Sequence, residues 1–169
     1  MTRSLFRAYG KGESMPDRIV SQMNHDLNEN NKNFMFVTLF VGILDLTSGL
    51  LRYCNAGHEA PILIHQGVQQ LSVNRSYPVG PLAKSQYQTQ EVIIEPGSTI
   101  LFYTDGLNEA MKANYKMFGI ERVFDEVNRA IQAGEFSPKV LIERMTQAVN
   151  DFIGDDEQSD DLTMMAIRR

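Results

Sequence analysis

Three aspartates stand where the chain reverses beside a strand. In ILFYTDG, residues 100–106, Asp105 directly follows a run of strand-forming residues and precedes Gly106. In SDDLTMMAIR, residues 159–168, Asp160 and Asp161 come just before an apolar run that reads as the last strand. If these two strands are neighbours in one sheet, the carboxylates converge at one edge. Clustered carboxylates without a basic partner repel one another, and the cluster is costly unless a proton or a cation bridges it. Their hard oxygens suit magnesium or manganese, which keep several waters. Water activated by such an ion is a natural nucleophile for phosphate esters. The same residues also fit plainer roles. Asp-Gly after a strand makes a common turn, for which Gly106 supplies backbone freedom, and an acidic run before a strand makes a solvated loop. The run also lacks the alternating acids, central glycine and distal glutamate of a calcium loop.

Other reactive residues offer less. His58, in NAGHEAP, has Glu59 beside it, but no second histidine stands at zinc-ligand spacing. His25 and His65 read as surface residues, and Cys54, inside a strand, as a small buried hydrophobe. No Gly-rich loop of Walker or dinucleotide type is present.

The elements that must position these residues follow from periodicity. Residues 3–9 suit a short helix, interrupted at Gly10 to Gly12. Ser14-Met15-Pro16-Asp17 reads as a helix start with Ser14 as cap, and Ile19, Val20, Met23 and Leu27 form its apolar stripe. FMFVTLFVGILDL, residues 34–46, reads as a long, largely buried strand. Thr47-Ser48-Gly49 turns it into LLRYCNA, and a shorter hairpin turns at Gln66-Gly67. EVIIEPGSTILFYTDG reads as two strands joined by a Pro-Gly turn. Two helices follow, with stripes Ile120, Val123, Phe124, Val127 and Leu141, Met145, Ala148, Val149, Phe152. The second is capped by Ser137-Pro138, and a closing strand comes after it. Runs of strands followed by runs of helices predict an α+β protein with antiparallel sheet.

Bulk properties agree with one domain over residues 1–169. The chain is long enough for a full core, with 43% hydrophobic and 22% charged residues. A net charge of -5 argues against a nucleic-acid partner. A single cysteine fits a reducing compartment. No apolar run is long enough to span a bilayer, so no membrane contact and a cytoplasmic location are expected.

Taken in order, FVTLFVGILDLTSGLLRYCNAGHEAPILI, YPVGPL, EVIIEPGSTILFYTDGLNEAM, MFGIERV and QSDDLTMMAIR resemble the SpoIIE-like branch of the PPM metal-dependent serine/threonine phosphatases, from about residue 14 to the end. That branch includes bacterial phosphatases that regulate sigma factors. The resemblance implies stacked antiparallel β-sheets flanked by helices. It further implies hydrolysis of phosphoserine or phosphothreonine on a regulatory phosphoprotein, such as an anti-sigma-factor antagonist. Attack would come from a hydroxide bridging two magnesium or manganese ions, with no phosphoenzyme. By position, Asp105 and Asp160 match metal ligands. Gly106 and Asp161 lie beside them, Asn55, Gly57 and His58 match a loop typical of the branch, and no catalytic residue beyond the metal ligands is implied.

The chain departs from the family pattern in lacking its two upstream acidic motifs, of Gly-Asp-x-x-Asp and Asp-Val-x-Gly-His-Gly type. The expectation is a domain truncated at its N-terminus, with Met1 an internal residue of a longer protein and the N-terminal strands missing. Asp105 and Asp160 would then hold at most one ion, weakly. The intact parent would be the enzyme and this chain alone inactive; the alternative is a non-catalytic binding module on the same scaffold. Unpaired sheet edges predict either a homodimer formed edge to edge or repacking of the N-terminal helices over the gap.

Overall fold

Two antiparallel sheets, each with its own helices, make up the regular structure of the described residues. The computed structural model describes residues 1–29, 31–156 and 160–169. In chain order the elements are α1 (Thr2–Tyr9), α2 (Pro16–Glu29), β1 (Leu39–Leu44), β2 (Leu50–Ala56), β3 (Ile62–Ile64), β4 (Val68–Gln70), β5 (Gln90–Ile93), β6 (Thr99–Tyr103), α3 (Asp105–Asn108), α4 (Ile120–Gln132), α5 (Pro138–Ile153) and β7 (Met164–Arg168). They fall into two units. One comprises Met1–His58 with Ser72–Ile94, the other Glu59–Leu71 with Glu95–Arg169. The α+β class with antiparallel pairing is as the sequence predicts.

In the first unit the sheet order is β1-β2-β5. The stripe of α2 packs Ile19, Val20 and Met23 against Val41, Cys54 and Ala56, with Leu39 and Ile43 at the margin. Phe40, on the opposite face of β1, stacks on Tyr53 with ring centroids 5.4 Å apart. The long strand expected over residues 34–46 is shorter than predicted. Only Leu39–Leu44 pairs with β2: Leu39 already faces Ala56, the last residue of β2, Val37 bridges Val79 instead, and Phe34 has a left-handed φ of 52° that no strand accommodates. Residues 34–36 are exposed.

The start of α2 is also held differently. The Asp17 amide donates to Thr89 Oγ1 at 3.1 Å, and the Thr89 hydroxyl donates back to the Asp17 carboxylate at 2.6 Å. The capping role given to Ser14 thus falls to a residue 72 positions away, a contact that local sequence does not encode. Loss of a hydroxyl cap costs about 1 kcal/mol. Thr89→Val is therefore expected to lower unfolding free energy by about that amount in urea denaturation, with an unchanged m-value.

Cys54 is fully buried, and burial pushes its thiol up to about 11. Reaction requires the thiolate, so Cys54 is expected to ignore Ellman's reagent at mildly alkaline pH until the chain is unfolded. Prompt labelling of the native protein would contradict this packing.

In the second unit the sheet order is β4-β3-β6-β7. The Pro-Gly turn after β5 does not close a hairpin: β5 pairs with β2, whereas β6 pairs with β3 and β7. Helices α4 and α5 cover one face of this sheet. Val123, Val127, Leu141, Met145 and Val149 meet Ile62, Ile64, Leu101 and Tyr103 in one core. Ser137 Oγ caps α5 by accepting from the Val140 amide, as predicted. Between the two helices, Glu126 is buried and its carboxylate takes Arg144 at 2.8 Å and Arg129 at 3.2 Å.

Candidate functional site

Strands β6 and β7 run antiparallel with Tyr103 opposite Met164, which brings the residues after β6 beside those before β7. Thr104 joins the two segments. Its amide donates to the Thr163 carbonyl at 3.1 Å, its hydroxyl donates to the Asp161 carbonyl at 3.1 Å, and the Thr163 amide donates back to that hydroxyl at 3.2 Å. Asp105 opens α3, a single turn, with its carboxylate accepting from the Gly106 amide at 3.1 Å. Asp160 accepts from the Asp161 amide at 2.7 Å. Asp105, Asp160 and Asp161 are all exposed.

Gly106 has a different job from the one the sequence suggests. It is helical, and its φ is not among the positive values. What excludes a side chain is space: a Cβ here would lie 2.9 Å from the Asp161 carbonyl carbon, and closer still to its oxygen. The glycine lets the two aspartate-bearing segments touch.

Glu59 completes the acidic end. In the sequence it reads only as the neighbour of His58. Strand β3 pairs with β6 through Ile62 opposite Leu101, so the residues preceding β3 lie at the same end of the sheet as Asp105. Burial, then the charges of Asp105 and Glu109, hold the Glu59 carboxyl above its usual range, with a hydrogen bond from Asn108 opposing the shift. Because the folded-state value is raised, the neutral form is the one the fold favours. The associated stability is present in acid and is lost as pH rises through the folded-state value. Glu59→Gln is therefore expected to stabilise the chain towards urea at neutral pH, with the gain shrinking in acid. An equal gain at both pH values would contradict the assignment.

Asn55, Gly57 and His58 belong to the first unit and form a turn. Asn55 is buried, donates through Nδ2 to the His58 carbonyl at 2.8 Å, and accepts the His58 amide at 2.8 Å. Gly57 has φ 73°, and a Cβ on it would sit 2.8 Å from Pro78 Cγ. His58 Nδ1 lies 3.2 Å from Thr38 Oγ1. These contacts give the loop a structural reason for its residues. The exposed His25 pairs with Glu29 at 3.6 Å, and His65 contacts Ser98 at 3.1 Å.

As a metal centre, the β6–β7 corner offers the right chemistry in small number. Its donors are carboxylate oxygens open to solvent, which suit a water-rich magnesium or manganese ion. Among the described residues no group of three or more His, Cys, Asp or Glu side chains is placed to hold an ion. Two aspartates from adjacent strand ends fit a share of an ion's shell, not all of it. No described helix is long and apolar enough to cross a membrane.

A family model described as stage II sporulation protein E (SpoIIE) matches residues 1–169. Protein IcfG of Synechocystis sp. is 27% identical over 197 residues, covering 99% of this chain and 30% of IcfG. The structure of the RsbU and RsbW domains of Rv1364c from Mycobacterium tuberculosis is similar with a TM-score of 0.81 and 22% identity, covering 99% of this chain and 47% of the other. The manganese-presoaked phosphatase domain of SpoIIE from Bacillus subtilis is similar with a TM-score of 0.63 and 14% identity, covering 99% of this chain and 72% of that one. The chain thus spans under a third of IcfG and about half of the Rv1364c structure.

Proposed function

Because the chain belongs to the stage II sporulation protein E family, we propose that it is part of a PPM-type, metal-dependent serine/threonine protein phosphatase. The observation that carries this reading is the contact of the TDG and DDLT segments across Gly106 and Asp161. It brings the segment that carries Asp105 against the one that carries Asp161, next to Asp160. In the longer protein these two would contribute ligands to magnesium or manganese, which supplies an activated water for attack on phosphorus. Thr104 holds the two ligand-bearing segments in register, and Gly106 keeps the gap between them closed. Glu59 adds negative charge whose repulsion a cation would relieve. Among the described residues no group of three or more His, Cys, Asp or Glu side chains is placed to hold an ion, so the 169-residue chain by itself is expected not to turn over substrate. The substrate is a phosphoserine or phosphothreonine protein of a bacterial regulatory circuit, with an anti-sigma-factor antagonist as the family analogy.

Release of inorganic phosphate from a phosphoserine protein substrate, such as a phosphorylated anti-sigma-factor antagonist, tests this reading. The protein extended upstream to the length of a whole phosphatase domain should release phosphate with manganese and stop on addition of EDTA. An extended protein that binds the substrate without releasing phosphate would instead make this scaffold a non-catalytic binding module.

A further inference from the structure

The first unit carries an exposed apolar surface. Phe34, Met35, Phe36 and Tyr77 are 75%, 71%, 62% and 64% exposed. A run of three large apolar residues in solvent is costly, and patches of this kind mark interaction sites. Specific bonds fix the turn that carries Phe34, Met35 and Phe36. Asn31 clasps the turn: its Nδ2 donates to the Met35 carbonyl at 2.6 Å and its Oδ1 accepts the Met35 amide at 2.7 Å. Phe34 sits at φ 52°, a conformation that costs a non-glycine residue on the order of 1 kcal/mol.

The patch continues onto the loop carrying Tyr77. Val37 and Val79 exchange two backbone hydrogen bonds at 3.0 and 3.1 Å. Asn28 and Asn31 both donate to the Gly80 carbonyl, and Gly80 lies against the backbone of Met35 and Phe36. The same loop lines a groove of about 590 Å³, with Tyr77, Pro81, Leu82 and Lys84 among its residues. Tyr77 and Leu82 in the groove, with the exposed Phe34, Met35 and Phe36 on the turn that Gly80 touches, suit the apolar face of an amphipathic helix.

Charge selects the occupant. Residues 31–44 and 72–90 contain no Asp or Glu, although the chain as a whole has a net charge of -5. The charged residues they do contain are Lys32, Arg75 and Lys84, with a fourth cation absent. Lys32 and Arg75 each lie two positions before an exposed aromatic, and Lys84 lines the groove itself. We propose that this surface docks an acidic amphipathic segment of a partner protein, with its apolar side chains against Phe34, Met35, Phe36 and Tyr77 and its carboxylates facing Lys32 and Lys84. The inference concerns binding alone and does not rest on the phosphatase reading.

The test uses a fluorescein-labelled synthetic helical peptide with leucine and phenylalanine on one face and glutamate on the other. A counterpart carries lysine in place of glutamate. Fluorescence anisotropy should show the acidic peptide binding the chain at least about ten-fold more tightly than the basic one, and more weakly at high salt. The double variants Met35→Ser/Phe36→Ser and Lys32→Glu/Lys84→Glu, with circular dichroism matching the parent, should each weaken it at least about ten-fold. The proposal is overturned if the acidic peptide fails to bind, if both peptides bind equally, or if neither double variant changes the affinity. It is equally overturned if sedimentation shows the chain pairing with itself through this patch, with the pairing lost in Met35→Ser/Phe36→Ser.

Discussion

Gly106→Ala is expected to destabilise the chain by about 1–3 kcal/mol, the range for overpacking a closed site. The added Cβ meets the carbonyl of Asp161, a backbone atom that cannot rotate away as a side-chain end would. Relief requires the segment before β7 to move off the end of β6, and the bonds of Thr104 to Asp161 and Thr163 stretch with it. For a chain of this size that corresponds to a fall in Tm of roughly 2–4 °C per kcal/mol. Gly67→Ala is the control, since a Cβ there meets nothing within 4 Å, and it should leave Tm unchanged. Equal Tm for both variants would mean that Gly106 does not seat the two segments.

Asp105→Asn is expected to move activity and stability in opposite directions, and Asp160→Asn to lower activity. In the extended protein each substitution should reduce manganese-dependent phosphatase turnover by at least about 100-fold. Even residues that merely support metal ligands cost about 10–100-fold when lost. In the 169-residue chain Asp105→Asn should slightly raise stability at neutral pH. It removes one of the charges that push against Glu59, and an exposed aspartate contributes little packing of its own. A residue kept for structure would lose both activity and stability. Falling activity with steady or rising stability marks a residue kept for chemistry.

Much of this arrangement is legible in the residues, because the signals are local. The stripes of α2, α4 and α5 and the Ser137-Pro138 cap depend on neighbours within a turn or two, and they occur where periodicity puts them. What the sequence does not display is contact between distant segments. Thr89 capping α2 lies 72 positions from Asp17, and nothing near Ser14 announces that its place is taken. The Pro-Gly turn signals a reversal without revealing that β5 and β6 join different sheets. Glu59 joins the acidic end only through the register of β3 on β6. Gly106 is required by the approach of a backbone 55 residues further on, where local reading offers only the freedom of a turn. Phe34 to Phe36 read as strand because their side chains favour strands. The side-chain bonds of Asn31 override that preference.

The most direct test is p-nitrophenyl phosphate hydrolysis with manganese, measured in parallel on the 169-residue chain, the protein extended upstream by about a hundred residues, a segment well within the range of one domain, and the extended protein carrying Asp105→Asn. Turnover is expected in the extended protein alone, with the chain and the Asp105→Asn variant at the background rate. Turnover by the 169-residue chain equal to that of the extended protein, or full activity surviving Asp105→Asn, would contradict a shared metal centre at the β6–β7 corner.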